Sequence, residues 1–276
     1  YKTPLNFKFI CIPEQATSRA WYLNLQQKEE LEIAMNWIQQ GDICLDLGAN
    51  IGYWSVTLAN CVGREGKILS VEASPKTVKY LEQGIKALNL NQVHIEQACI
   101  TNKNGLTEFM IAKENVSELK QSLQVSEKQL SYYQKQMVKT MTLNSLLEKR
   151  EFLGEVSFIK IDIEGAEPLA LQEGNHLLDV NALPLFIIEI YKVGLKRLNF
   201  TPSSILQYFP IELFELYQIN RSYPNPSTKF DYGVIYPVIN PKTDDWLPLT
   251  NLIAIPKKGK FSQRKKKLIN VINKSL

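Results

Sequence analysis

The sequence predicts an α/β chain built on a doubly wound sheet, mostly parallel, with helices on both faces. Three observations carry that prediction. Apolar runs and amphipathic stretches alternate in β-α-β-α-β order from Ile43 to Cys99. The first of those strands runs into a glycine turn, D-L-G-A-N-I-G at Asp46–Gly52, which opens a helix. Two later apolar runs, Val156–Ile163 and Leu185–Tyr191, read as buried strands that deliver acids to the carboxyl edge of the sheet, where ligands of such folds bind.

Each element has its own signal. Residues 1–20, with Pro4 and Pro13, read as an irregular arm. Trp21–Gln40 is helical, because Leu23, Leu31, Ala34, Met35 and Ile38 make one apolar face, and Gly41-Asp42 ends it. Ile43–Leu47 is a strand, Tyr53–Cys61 a helix and Lys67–Glu72 a strand. Pro75–Leu88 is a helix with Ser74 as its cap and proline at its first position. Val93–Cys99 and Leu106–Ala112 read as strands, and the polar stretch Lys113–Gln136 as a helical insertion, since Leu119, Leu123, Leu130 and Tyr133 recur at loosely helical spacing. Lys139–Leu143 resumes as strand, followed by a short helix, and further helices fall at Pro168–Leu178 and Pro202–Tyr208. Leu213–Asn220 and Asn251–Pro256 are two more strands, separated by the proline- and aromatic-rich loop Arg221–Thr250. The organisation expected is an arm and helix over 1–40 packing on the sheet, a main domain over 41–256, and a basic tail over 257–276.

Composition excludes some function classes. The chain has 276 residues, 45% of them apolar, which is enough for one full core. No apolar run approaches the roughly 18 residues that span a bilayer, and Tyr1–Phe9 lacks the apolar centre of a signal peptide. Cys11, Cys44, Cys61 and Cys99 have no C-x-x-C spacing and read as reduced thiols of a cytoplasmic protein rather than metal ligands. A net charge of +4 requires no nucleic-acid partner. The cations from Lys257 to Lys267 read as a solvated tail, with weak contact to an anionic surface as the functional alternative.

Four stretches can carry chemistry. The turn D-x-G-x-N-x-G lacks the middle glycine of a dinucleotide fingerprint and adds an acid, Asp46, so it suits a ligand with both an ammonium and a carboxylate. Glu72, at the next strand end, can accept from both hydroxyls of a ribose. K-I-D-I-E-G-A-E at Lys160–Glu167 brings Asp162, Glu164 and Glu167 to the sheet edge, and F-I-I-E-I-Y brings Glu189. Asp162 and Glu164 can take a proton or hold a hydroxyl; with Glu189 they could instead hold a divalent metal, which is the less favoured reading because no His joins them. A plain ion pair of Glu189 with Lys160 or Lys192 is the bland alternative. His94 and His176 have no Ser, Cys or Asp constellation and read as structural.

In this order, D-L-G-A-N-I-G, V-E-A-S-P, V-K-T-M-T-L-N-S-L-L, F-I-K-I-D-I-E-G-A-E and F-I-I-E-I-Y resemble the FkbM family of S-adenosylmethionine-dependent methyltransferases over about Gly41–Tyr191, and T-N-L-I-A-I-P fits its final strand. The resemblance implies a Rossmann-like seven-stranded sheet with an antiparallel last strand, and O-methylation of a hydroxyl on a sugar, glycan or polyketide-like product. It implies that Asp46, Gly48, Asn50 and Gly52 hold the methionine part of S-adenosyl-L-methionine, that Glu72 holds the ribose and that Ala98 and Cys99 flank the adenine. Asp162, Glu164 and Glu189 are then the candidate catalytic groups, with no metal, and the partner is a small-molecule or glycan acceptor rather than nucleic acid. The competing readings are a non-catalytic binding module on the same fold and a nicotinamide-dependent oxidoreductase, which the missing glycine and the presence of Asp46 disfavour.

Overall fold

The computed structural model describes residues 18, 28–113, 122–152, 155–174, 177, 179–220, 234–238, 246–269 and 271–272. Helix α1 (Lys28–Trp37) leads into β1 (Ile43–Leu47), α2 (Tyr53–Val62), β2 (Lys67–Glu72), α3 (Pro75–Ala87) and β3 (Val93–Gln97). Next come β4 (Cys99–Ile100), β5 (Gly105–Ala112), β6 (Tyr133–Met141), α4 (Leu143–Arg150), β7 (Val156–Ile161) and α5 (Glu167–Gln172). The chain finishes with β8 (Leu185–Tyr191), α6 (Lys192–Arg197), α7 (Ser203–Leu206), β9 (Phe214–Asn220), β10 (Ile235–Pro237) and β11 (Leu249–Pro256).

The main sheet has the order β10-β9-β11-β8-β7-β1-β2-β3. β3, β2, β1, β7 and β8 are parallel, and β11 runs antiparallel to both β8 and β9. The expected antiparallel last strand is therefore present. The strand number differs: β10, three residues inside the expected aromatic loop, adds an eighth strand beside β9. Most of that loop lies outside the described residues, although Trp246 is buried in the core.

Alternation of side chains sorts each strand between two core layers. Cys44, Phe158, Leu185, Ile187 and Ile253 face the layer that contains α1, α2 and α3. Leu45, Leu47, Ile159, Ile161, Phe186 and Ile188 face the layer of α4, α5 and α6. The polar residues Asp46, Lys160 and Glu189 interrupt the first set, all near the carboxyl ends of their strands.

Three further expectations are corrected. The strand expected over Val93–Cys99 breaks at Ala98, whose N–H reaches the Glu72 carbonyl, and Cys99 enters a separate three-stranded sheet, β4-β6-β5. The helical insertion expected over Lys113–Gln136 is largely absent among the described residues: Glu127–Tyr132 is a 3-10 helix, and Tyr133–Gln136 belongs to β6, paired with β5 from Phe109 to Ala112. Residues 114–121 lie outside the described set. This small sheet is tied to the β3 edge by Glu96, which takes hydrogen bonds from Lys149, Lys139 and Arg150.

The third correction concerns the basic end of the chain. Phe261, Leu268, Val271 and Ile272 are buried, and Arg264 grips Asp42, just before β1, with both terminal nitrogens. Lys265 pairs with Glu215 and Lys260 with Glu155. Lys257–Lys267 is thus docked through Phe261, Arg264 and Lys265 rather than a free tail, while Lys257, Lys258, Lys260, Lys266 and Lys267 stay exposed as expected. No helix of the described residues is long and apolar enough to cross a membrane.

Candidate active site

Sheet register sets the site. Leu47 pairs with Val71 on one side and Ile161 on the other, so the next residues, Gly48, Glu72 and Asp162, share a row. Ile161 pairs with Ile188, which puts Glu189 beside Asp162, and Glu189 pairs directly with Asn251. Glu72, Gly48, Asp162, Glu189 and Asn251 thus cross five neighbouring strands at one level of the carboxyl edge.

At one end is the glycine turn. Gly48 has φ 85°, and a Cβ there would lie 1.9 Å from the Asp162 carbonyl oxygen, so only glycine lets β1 leave the sheet against β7. Gly52 has φ 94° at the start of α2, and no side chain caps that helix, which leaves its first amides at the ligand edge. Asn50 sits in the left-handed region at φ 49°, and its N–H donates to Glu72 Oε2 at 3.0 Å. Ser74 N–H donates to Glu72 Oε1 at 2.9 Å. Burial raises the Glu72 carboxyl, and these backbone donors work against that rise. Each oxygen keeps a further lone pair for a ligand hydroxyl.

Asp46 lies beneath the turn, 1% exposed, and accepts from Ser55 Oγ at 2.6 Å, while Ser70 Oγ donates to Ser55 Oγ at 2.8 Å. Burial pushes its carboxyl up to about 6, against the pull of the Ser55 hydrogen bond and the nearby Lys160 ammonium. Ala98 and Cys99 are buried beside the Glu72 strand end. Burial, with the Glu72 charge adding, pushes the Cys99 thiol up to about 12, so it is a neutral apolar wall.

At the other end, Asp162, Glu164 and Glu189 each bring an oxygen within 4.8 Å of the other two. That spacing fits a ligand hydroxyl held between carboxylates and would also admit a divalent cation. Glu164 reaches the group from a left-handed backbone, φ 59°, and Gly165 follows at φ 105°. A Cβ on Gly165 would lie 2.3 Å from Gly194 C, so the Glu164–Gly165 turn is pressed onto α6. Glu167 braces the turn from inside: fully buried, its Oε1 accepts from Ile163 N–H at 3.0 Å and Gly165 N–H at 3.2 Å. Burial, reinforced by the charge of Glu189, pushes it up to about 8.

The row thus gathers Asp46, Gly48, Asn50, Gly52 and Glu72 at one end and Asp162, Glu164 and Glu189 at the other. Three groups had no functional role in the sequence reading, where Lys160 figured only as a bland ion-pair partner of Glu189. Lys160 is fully buried and holds Asp162, with Nζ 3.2 Å from Oδ2; its place two residues before Asp162 on the same strand face was the available signal. Asn251 is a buried amide in an apolar strand, and its Nδ2 donates to Glu30 Oε1 at 2.5 Å. The Glu30 contact, from α1, had no local signal. His94 lies near the amino end of β3, edge-on to Phe152 at 6.5 Å and away from the row. His176 is outside the described residues.

A glycine turn with a buried acid beneath it, and a carboxylate at the end of the next strand, offer a ligand both donors and acceptors. Residues 46–218, more than half of the chain, match the model of the methyltransferase FkbM domain, and the chain belongs to that family. Its cofactor is S-adenosylmethionine, which the donor and acceptor set of the turn and Glu72 fits. Among curated proteins it is similar to the ribosomal RNA large subunit methyltransferase E of Bdellovibrio bacteriovorus, 31% identical over 77 residues, which is 26% of this chain and 39% of that protein. The chain therefore spans well under half the length of that relative. Among solved structures it is similar to a methyltransferase FkbM from Methylobacillus flagellatus, with a TM-score of 0.44 and 14% identity over 89% of this chain and 56% of that one. A SAM-dependent O-methyltransferase from Thermotoga maritima aligns at a TM-score of 0.42 and 13% identity, over 84% of this chain and 69% of that one.

Proposed function

We propose that the chain transfers a methyl group to a hydroxyl oxygen of a sugar, glycan or polyketide-like product. The observation that carries this reading is the continuity of the row: the cofactor end at Glu72 and the acid cluster at Asp162, Glu164 and Glu189 lie at one level of one sheet edge.

Bound S-adenosylmethionine supplies an electrophilic methyl on its sulfonium. The residues of the chain do the rest. Asp46 and the amides of the turn receive the ammonium and carboxylate of the amino-acid part, Glu72 receives the ribose hydroxyls, and Ala98 and Cys99 flank the base. In-line transfer depends chiefly on alignment of nucleophile and methyl. Asp162 or Glu164 accepts the proton of the acceptor hydroxyl or holds it in place, with Glu189 supporting, because an alcohol is a weak nucleophile until its proton leaves. A wall of carboxylates with Asn251 beyond it suits an acceptor rich in hydroxyl donors. It also repels phosphodiesters, so an RNA acceptor, the substrate class in the name of the Bdellovibrio relative, fits the site less well.

The experiment has two parts. S-adenosylhomocysteine at 100 times its dissociation constant is expected to stabilise the fold by about 2.7 kcal/mol in a thermal melt, and NAD to do nothing. A mass-spectrometric screen of glycans and hydroxylated natural products then identifies the acceptor. With that acceptor, Asp162→Asn and Glu164→Gln are each expected to slow transfer by about 10²–10⁴, with cofactor affinity held within a few-fold. Wild-type turnover in both variants refutes the assigned roles. Methylation of RNA, assayed alongside the screen, refutes the acceptor class.

A further inference from the structure

Lys160 has no place in the roles assigned so far, yet its position is the least ordinary in the site. It lies on β7 with no solvent exposure. An ammonium taken wholly out of water is costly unless carboxylates surround it. Its Nζ is 3.2 Å from Asp162 Oδ2. Its strand partner on the other side is Asp46, directly across in the β1·β7 register and on the same sheet face. Lys160 therefore stands between the acid of the cofactor turn and the acid at the transfer end.

We propose that Lys160 is a positioning residue that joins the two halves of the site: its buried ammonium fixes the Asp162 carboxylate toward the acceptor and keeps Asp46 ionised for the ammonium of the cofactor. The charged groups acting on Asp46 are Lys160 of β7, Asp162 just beyond that strand and Glu72 of β2, and Ser55 of α2 is its hydrogen-bond donor. Glu189 on β8 and Glu30 on α1 are the acids further along the same face. Only Lys160 opposes all this negative charge from within the sheet among the groups acting on Asp46. Asp46, pushed up to about 6 by burial, already titrates near neutrality, so loss of the cation moves its ionisation into the working pH range.

The inference rests on the reading of Asp46 as part of the cofactor site, and the test separates the two. S-adenosylmethionine binding is measured by calorimetry from pH 5 to 9 on wild type, Lys160→Met and Lys160→Arg, each first checked by circular dichroism. The wild type is expected to bind with an acidic limb near pH 6, Lys160→Met to move that limb up by about one pH unit, and Lys160→Arg to restore most of it. A wild type that does not bind the cofactor overturns the reading of the site. A wild type that binds, beside a Lys160→Met that binds with the same limb, overturns the inference alone. If Lys160→Met does not fold, Asp162→Asn takes its place: removal of that carboxylate leaves Lys160 to Asp46 and is expected to move the limb down, and an unmoved limb overturns the inference.

Discussion

The two turns that make the site are built by the same device and do opposite things with it. At the first, Gly48 and Gly52 bend the chain, Asn50 is held left-handed at φ 49°, and Glu72 accepts two backbone N–H groups. At the second, Gly165 bends the chain, Glu164 is held left-handed at φ 59°, and Glu167 accepts two backbone N–H groups. The bracing carboxylate decides the difference. Glu72 comes from the neighbouring strand and is only half-buried, so it braces the turn and still faces the ligand edge. Glu167 comes from the turn itself and is fully buried, so its carboxylate is an internal prop. Of the acids in K-I-D-I-E-G-A-E, two line the wall and the third holds it up.

The comparison breaks most completely at Gly48. A methyl there would meet the Asp162 carbonyl at 1.9 Å, and this atom is backbone, which cannot swing away. Gly48→Ala is expected either to prevent folding or to separate the two turns, with cofactor affinity reduced by more than 100-fold in calorimetry, since a small misplacement of a site can cost about 10². Gly48→Ala protein that binds S-adenosylhomocysteine normally would mean that the turns are not mechanically joined.

These two turns were unequally legible in the sequence. The first announces itself through the spacing of Asp46, Gly48 and Gly52, because each residue type answers a local backbone need. The second showed its acids, since charges after a strand as apolar as Val156–Ile161 stand out. Which acid faces inward did not show, because that depends on Gly165 meeting Gly194, a contact between distant stretches. The row of Glu72, Asp162, Glu189 and Asn251 needs strand register, and the Glu30–Asn251 contact spans 221 positions. The insertion misled for a different reason. Gln134–Met137 of β6 is exposed, and β4 pairs with β6 only at Thr140 and Met141, so polar residues on an open strand edge erased the period-two signal. At the C-terminal end, Phe261 and Leu268 were hidden among lysines, and the Asp42 partner of Arg264 is invisible to local reading.

The difference between the props is sharpened by pH. Glu167 is pushed up to about 8 in the fold, first by burial and then by Glu189, from an ordinary value of roughly 4.3 in an unfolded chain. The folded state therefore binds more protons than the unfolded state between these values, and stability must fall as pH rises through that window. Melting followed from pH 5 to 8.5 is expected to show this decline in the wild type. Glu167→Gln keeps an oxygen for Ile163 and Gly165 and carries no titrating group, so its melting temperature is expected to vary less with pH and to exceed the wild type at the alkaline end. An unchanged slope in Glu167→Gln would assign the pH dependence elsewhere and make the two bracing glutamates equivalent.

The smallest effect tests whether the glycine argument is specific to the turns. Gly84 lies inside α3, has ordinary helical backbone, and a Cβ there meets nothing within 4 Å. Alanine costs less backbone entropy in a helix and has the higher propensity. Gly84→Ala is therefore expected to raise stability by about 0.5–1 kcal/mol, read as an upward shift of a few degrees in the melt, with cofactor affinity unchanged. The same methyl added at Gly48 and at Gly84 thus carries opposite signs, because one glycine lets two strand ends meet and the other only loosens a helix. A Gly84→Ala variant that weakened cofactor binding would place α3, which packs Leu81 against Gly52, within the mechanics of the turn.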